Sequence, residues 1–181
     1  MPAIVTLESR QRRMVDWFNL PLNKYIGIGR TTPWKDETDP DLPDGKATEL
    51  EEFVGVQLIS GQKYAKEIPD SELTTEKKLS GKFYKGQYYE LTSDKEYALK
   101  NGFTSIMVWT TLDRDTYFPV DITYRQIGLF VKVNANAVYI PAADFNAMLK
   151  DYRGTLEVID NRKPQTRQND QQEELTMLID F

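Results

Sequence analysis

The sequence predicts a mainly β protein with two or three short α-helices. Several segments alternate apolar and polar side chains with a period of two, the pattern of a strand that has one face in a core. The clearest is "YRQIGLFVKVN" at residues 124–134, where Ile127, Leu129 and Val131 fall on one face. Predicted strands do not alternate regularly with long helices, which disfavours a doubly wound nucleotide-binding fold.

The first elements follow from capping, periodicity and turn residues. "TLESRQRRMVDWFN" at residues 6–19 predicts a short amphipathic helix with Thr6 or Ser9 as its N-cap. "KYIGIGR" at residues 24–30 predicts a strand. Residues 35–47 contain two prolines, one glycine and no apolar period, so we expect a long surface loop there.

The middle of the chain gives more varied signals. "ELEEFVGVQLIS" at residues 49–60 begins like a helix and becomes a strand, whereas residues 62–80 are polar and weakly patterned. "KFYKGQYYELT" at residues 82–92 predicts a hairpin that turns near Lys85-Gly86. "SDKEYALKNG" at residues 93–102 predicts a short helix between a capping serine and a terminal glycine.

The last part of the chain predicts strands around one helix. "TSIMVWTTL" at residues 104–112 alternates as a strand does. "AVYIPAADFNAMLKDYRG" at residues 137–154 predicts a short strand and then a helix that Gly154 ends. "EELTMLIDF" at residues 173–181 alternates again, so we expect the chain to end in a sheet.

Composition restricts the chemistry that this chain can carry out. Its 181 residues are enough for one domain with a sizeable core, and they include no cysteine and no histidine. Disulfides, thiol catalysis, Ser-His-Asp triads and the commonest metal ligands are therefore excluded. We expect no cofactor, no metal and no small-molecule substrate.

Charge and hydropathy narrow the class of partner. The net charge is −5 and the isoelectric point is about 4.9, which makes approach to a phosphate backbone unfavourable. No apolar run approaches the roughly 20 residues that span a bilayer. Aromatic residues make up 12% of the chain, and tyrosine and tryptophan supply contact area at low entropic cost. We expect protein partners, with neither nucleic acid nor membrane.

Gly27 and Gly29 end an apolar stretch, as the glycines of a nucleotide-binding turn do. The dinucleotide fingerprint requires a third glycine three residues after the second, at the start of a helix. Thr32 occupies that position and Pro33 follows it, so no helix begins there. We interpret the two glycines as one face of a strand on which another element packs closely.

The segment after this strand combines one tryptophan with a group of carboxylates. Trp34 is either an interface anchor on a stiff loop or a core residue beneath it. The carboxylates do not have EF-hand spacing, so we expect an acidic surface loop rather than a calcium site. A carboxylate pair for glycoside hydrolysis stays open, because 28 acidic residues yield many pairs by chance. The carboxylates are Asp36, Glu37, Asp39, Asp41 and Asp44.

Several stretches taken together resemble one family. The chain is similar to the dimeric, β-rich baseplate wedge protein of contractile-tailed bacteriophages of the T-even type, in a shortened form. The residues that carry the resemblance are "AIVTLESRQRRMVDWFN" (3–19), "IGIGRTTPW" (26–34), "TYFPVDITYRQIGLF" (116–130), "VIDNRKP" (158–164) and "QQEELTMLIDF" (171–181).

The resemblance implies a homodimeric structural subunit with a β-sandwich-like core that joins neighbouring wedge proteins without catalysis. It also implies a location in the virion, in the tail baseplate, after assembly in the cytoplasm of the host bacterium. The N- and C-terminal segments of such proteins build one domain around an inserted one. Residues 62–102 are short for that insertion, so we predict a single β-rich domain over residues 1–181 with a reduced insertion.

Two of these stretches, "IGIGRTTPW" and "VIDNRKP", are the motifs that contain the candidate partner-contact residues. These residues are Arg30, Pro33, Trp34, Asn161 and Arg162. Replacing Trp34 with alanine is expected to weaken assembly without unfolding the subunit. Two other classes stay open. One is a carbohydrate-binding or receptor-binding tail module, and the other is a carboxylate-based cell-wall glycosidase.

Overall fold

The structure, a computed structural model, describes residues 4–21, 23–112, 118–168 and 171–181. Tyr117 of the "TYFPV" motif lies outside the described residues. Strands account for 42% of the chain, against roughly 20–25% in an average globular protein. The predicted mainly β class with short helices is therefore confirmed.

Ten strands of the described chain form two five-stranded antiparallel sheets. The first sheet has the strand order β8-β2-β1-β7-β9, and the second has the order β10-β6-β3-β5-β4. The strands are β1 (Asn23–Gly29), β2 (Gly55–Leu58), β3 (Gly61–Glu67), β4 (Lys82–Tyr84), β5 (Gln87–Thr92), β6 (Ser105–Leu112), β7 (Ile122–Val133), β8 (Tyr139–Pro141), β9 (Thr155–Arg167) and β10 (Glu173–Asp180).

The chain divides into two compact units. The terminal unit comprises Met1–Leu20, Gly61–Val108 and Thr176–Phe181, and the central unit comprises Pro21–Ser60 and Trp109–Leu175. All five strands of the first sheet belong to the central unit. The predicted insertion, residues 62–102, belongs to the terminal unit together with both ends of the chain. The single-domain organisation stays a prediction.

Five α-helices, all short, and one 3-10 helix occur in the described residues. The N-terminal helix is confirmed, with Thr6 as the N-cap: its Oγ1 accepts a hydrogen bond from the Ser9 N–H at 3.3 Å. Met14 and Trp17 form its buried side. The helices are α1 (Leu7–Phe18), α2 (Thr75–Ser80), α3 (Lys95–Lys100), α4 (Ala142–Ala147) and α5 (Lys150–Arg153), with the 3-10 helix at Asp70–Glu72.

The predicted hairpin between β4 and β5 is confirmed at its turn. Lys85 and Gly86 have φ angles of 46° and 89°, as the two central residues of a tight hairpin turn require. The helix that follows is also confirmed, but its cap is Asp94 instead of the predicted serine. The Asp94 carboxylate accepts a hydrogen bond from the Tyr97 N–H at 3.1 Å, which is the usual N-cap spacing.

Three local predictions are wrong or incomplete. Residues 49–60 contain no helix start, because Leu50 and Phe53 turn inward to pack on the first sheet. The polar segment at residues 62–80 contains β3 and α2, which its weak pattern did not indicate. The helix predicted after β8 is interrupted at Met148 and Leu149, whose ψ angles of 145° and 144° are extended.

The glycines of β1 lie in the first sheet, as the sequence predicted. Gly27 is paired with Gly128 of β7, and a Cβ atom at Gly27 would lie 3.0 Å from the Phe130 ring. At Gly29 a Cβ atom would lie 2.9 Å from the Cβ of Leu50. The missing side chains therefore make room for Leu50 and its neighbours, which cover this face of the sheet.

Candidate protein-contact site

The structure brings the two motifs with the predicted contact residues together. Arg30 follows β1, and Asn161 and Arg162 lie in β9. The Trp34 indole Nε1–H donates a hydrogen bond to the Arg162 carbonyl oxygen at 3.0 Å. The Arg30 guanidinium lies over the Trp34 ring, 3.8 Å from its centroid, which is a cation–π contact. Arg30, Trp34 and Arg162 thus form one local cluster.

Trp34 is buried, with 5% of its surface exposed. The indole is therefore not a free anchor in the isolated chain, and the structure favours the core position that the sequence left open. The buried ring supports the loop above it. Replacing Trp34 with alanine is therefore expected to destabilise the fold rather than to leave it intact. Pro33 beside it is exposed.

The acidic segment at residues 31–47, here called the strapped loop, is tied to β7 by one buried cation. The Arg125 side chain is 8% exposed, and its Nε and Nη2 donate to Glu37 Oε1 at 2.8 and 2.7 Å. Its Nη1 also donates to the Thr31 carbonyl oxygen at 2.6 Å. The hydrogen bonds from Arg125 lower the pKa of Glu37. The predicted acidic surface loop is therefore fixed to the first sheet by side-chain contacts.

Asn161 provides a second tie to the strapped loop. Its Nδ2 donates to the Asp41 carbonyl oxygen at 2.8 Å, and its Oδ1 accepts from Gln126 Nε2 at 2.8 Å. Gln126 in turn accepts the Glu51 N–H at 2.7 Å through its Oε1. The oxygen and the nitrogen of the Gln126 amide are thus both hydrogen-bonded. The orientation of this amide therefore fixes the orientation of the Asn161 amide.

Glu52 closes the base of the strapped loop. Its carboxylate accepts the Thr31 and Thr32 N–H groups at 2.9 and 2.8 Å and also bonds the Thr31 hydroxyl. These hydrogen bonds, those with Thr31 first, lower the pKa of Glu52 to about 2. Arg30 and Glu52 have φ angles of 49° and 43°, a left-handed conformation that costs side-chain-bearing residues energy. The hydrogen bonds hold that backbone in place.

The outer part of the strapped loop carries short local turns and one apolar side chain. Asp36 Oδ1 accepts the Thr38 N–H at 2.8 Å, and Asp44 Oδ1 accepts the Lys46 N–H at 2.9 Å. Leu42 between them is 91% exposed. The arrangement presents an acidic surface with one almost fully exposed leucine.

Sequence reasoning missed the residues that hold this site. Arg125 and Gln126 stood within the resembling segment but were not assigned a role. Glu37 was placed in an acidic surface loop, and Glu51 and Glu52 were placed in a predicted helix start. The available signal was the placement of a charged and an amide side chain in a strongly apolar strand. A buried polar side chain needs a partner, and only the fold shows which one.

No three His, Cys, Asp or Glu side chains in residues 4–21, 23–112, 118–168 and 171–181 are grouped so that they could hold a metal ion. Within the same ranges, none of the helices is both long enough and apolar enough to cross a membrane.

Comparison with known proteins identifies the family. A family model described as "Baseplate wedge 3 tail fiber network component" matches residues 2–181. The chain is also similar to "Virion protein 3" of Enterococcus phage phiEF24C, with 27% identity over 168 residues that cover 93% of this chain and 89% of the phage protein. The chain therefore belongs to the baseplate wedge 3 tail fiber network component family, and the resemblance to a phage baseplate wedge protein is confirmed.

Proposed function

We propose that this member of the family is a structural subunit of the baseplate wedge of a contractile tail, and that it joins neighbouring baseplate proteins through the strapped loop without catalysing a reaction. Family membership supports the first half, since the family consists of structural components of the phage baseplate. The loop geometry supports the second. Assembly in the host cytoplasm and a homodimeric state are part of the same proposal.

The observation that carries the proposal is the attachment of the loop. An acidic segment with no fixed structure would lose much conformational entropy on binding a partner. Here Arg125 and Asn161 hold the segment in one conformation before any partner is present. The side chains of Pro33 and Leu42 remain exposed above these contacts. The preformed acidic surface fits a basic patch on a neighbouring protein.

Site-specific cross-linking in assembled virions tests the contact. A photoreactive amino acid replaces Pro33, which is exposed beside the buried Trp34. A second virion preparation carries it at Leu79 of α2, which is 84% exposed in the terminal unit and serves as a matched control. We expect the Pro33 position to give an adduct with another baseplate protein and the Leu79 position to give much less of it.

Two results would contradict the proposal. One is equal cross-linking from both positions, which would show that the strapped loop has no preferred neighbour. The other is degradation of bacterial cell wall by the purified chain in a zymogram, which would favour the carboxylate-based glycosidase. Binding of a glycan by the isolated chain would instead favour a receptor-binding tail module.

A further inference from the structure

The central unit contains an open cavity with an aromatic floor. Its volume is about 400 Å³, within the range of roughly 300–1,000 Å³ for ligand pockets. Phe53, Phe130 and Phe145 form the floor, with ring centroids 5.0 to 5.7 Å apart in edge-on or tilted arrangements. Leu50 and Leu156 add aliphatic walls. The interior suits one bulky apolar side chain.

The rim of this cavity is polar and carries more positive than negative charge. Lys150 and Arg153 come from α5, and Glu49 stands on the side of the loop that precedes β2. Among the described residues, no ion pair is formed by Lys150, Arg153 or Glu49. The two cations are therefore available to a ligand with carboxylates on both sides of its apolar group.

The same chain carries a segment with this chemistry. Leu42 stands between Pro40 and Pro43, in the stretch "TDPDLPDGK" at residues 38–46. Asp39, Asp41 and Asp44 supply three carboxylates within three residues of the leucine. This apolar side chain, 91% exposed, is an unfavourable feature for an isolated chain unless another surface covers it.

The conformation of this segment is fixed in advance. Asn161 holds the Asp41 carbonyl group next to Leu42, and Asp44 forms a turn with Lys46 directly after Pro43. Prolines on both sides limit the backbone further. A segment held in this way loses little entropy when it binds, so that the leucine can be inserted as a stiff projection.

We infer that the cavity of one copy receives Leu42 from the strapped loop of a second copy, with the Asp side chains of the loop against Lys150 and Arg153. Because each chain has both the projection and the cavity, the contact can form twice about a two-fold axis and then closes as a dimer. The inference rests on the proposed function in assigning a contact role to the strapped loop and a homodimeric state to the chain. It names the side chain and the cavity that form the contact between the two copies.

Sedimentation equilibrium of the full chain, over a series of concentrations, tests this inference. We expect the wild-type chain to dimerise and Leu42→Asp to raise the dimer dissociation constant about tenfold or more, because a buried leucine contributes at least that factor. Lys150→Glu should act in the same direction and should also reduce the salt dependence of dimerisation. Leu79→Asp replaces a comparably exposed leucine in α2, and its dissociation constant should equal that of the wild type.

A peptide experiment locates the occupant. Leu42→Asp protein, labelled with ¹⁵N, is titrated with a synthetic peptide of residues 38–46. Amide resonances of Leu50, Asn146 and Gly154 at the cavity are expected to shift, whereas those of the terminal unit stay in place. A peptide with serine in place of the leucine should produce shifts only at concentrations about tenfold higher or more.

Three results would overturn the inference: a wild-type chain that stays monomeric, a Leu42→Asp variant that dimerises like the wild type, or a peptide that does not shift the cavity resonances. None of them bears on the Pro33 cross-link to other baseplate proteins. A monomeric wild-type chain would also contradict the homodimeric state, whereas the contact of the strapped loop with other baseplate proteins is tested by the cross-link alone, so the two failures can be told apart.

Discussion

At the scale of single residues, Trp34 connects the two motifs through an aromatic ring that is buried within the central unit. The indole contacts the Arg30 guanidinium with its face and the Arg162 carbonyl oxygen with its N–H group. A sequence cannot distinguish such a residue from an interface anchor, since both are large aromatics next to a loop. The difference lies in whether the loop folds back over the ring.

Trp34→Ala is therefore expected to destabilise the chain. Removing a buried tryptophan side chain typically costs about 3–5 kcal/mol, and the Arg162 carbonyl group also loses its partner. Trp34→Phe keeps a ring under Arg30 but not the hydrogen bond, so its loss should be clearly smaller. Urea unfolding followed by circular dichroism measures both variants. An unchanged midpoint for Trp34→Ala would return Trp34 to the role of an exposed anchor.

Glu52 gives the strapped loop a pH dependence. The carboxylate has a pKa of about 2 in the folded chain, below its ordinary value of 4.5. A depressed carboxylate pKa stabilises the folded state fully above the unfolded value, and this stabilisation is lost as the pH falls toward the folded one. Glu52→Gln cannot titrate, and a neutral amide accepts hydrogen bonds less strongly than a carboxylate.

The difference in melting temperature between wild type and Glu52→Gln should thus be largest above pH 4.5 and shrink as the pH falls toward 2. Thermal scans of the two proteins across this range measure it. Glu174→Gln is a matched control, because it replaces an exposed carboxylate in β10, outside the strapped loop. A difference that stays constant with pH would show that Glu52 does not hold the loop through its charge.

At the scale of elements, the glycine pattern of β1 shows how a short motif positions the site. Leu50 and Phe53 cover the first sheet only because Gly27, Gly29 and Gly128 have no side chains there. The same segment carries Glu52, which holds the strapped loop, and it also forms one wall of the cavity. The Gly-x-Gly sequence therefore has a packing role that serves both surfaces.

Gly29→Ala is expected to disrupt this arrangement. A Cβ atom there would lie 2.5 Å from the Glu51 carbonyl oxygen and 2.9 Å from the Leu50 Cβ, and neither atom can move without a backbone shift. Overpacking of this kind costs about 1–3 kcal/mol. Gly45→Ala is the control, because a Cβ atom at Gly45 has no neighbour within 4 Å. If the two variants unfold at the same denaturant concentration, the close approach at Gly29 is not a constraint.

The elements also show how far sequence reasoning extends. The hairpin at Lys85-Gly86, the N-terminal helix and the strands β1, β6, β7 and β10 were all predicted, because turn residues, caps and period-two patterns are local signals. The strand β3 and the interruption between α4 and α5 were not. Both depend on packing against other parts of the fold, which leaves little trace in the local sequence.

The candidate site was also predicted only in part. Its positions were predictable because the glycine–arginine and asparagine–arginine motifs are distinctive. The contacts within it were not, since Arg125 and Glu37 are far apart in sequence and their pairing is a long-range event. On β7, one face was predicted to be apolar, but both faces are buried, because the segment around Leu50 covers the second face.

At the scale of the whole molecule, the acidic composition restricts which proteins can bind the chain. A chain with net charge −5 repels itself and other acidic proteins, so neighbours that bind it must offer basic or apolar surfaces. The strapped loop carries much of this negative charge, whereas the rim of the cavity in the central unit carries two cations. Assembly through such surfaces should weaken with rising salt.

The two compact units are expected to unfold together. The strands β6 and β10 each contribute residues to both compact units, since their divisions fall after Val108 and after Leu175. We propose that the chain unfolds as a single domain, because neither unit can lose these strands while the other keeps them whole. Circular dichroism and tryptophan fluorescence should then give the same transition midpoint, and the calorimetric and van't Hoff enthalpies should agree. Two separate transitions, one reported by Trp17 and the other by Trp34 and Trp109, would mean that the two units unfold independently.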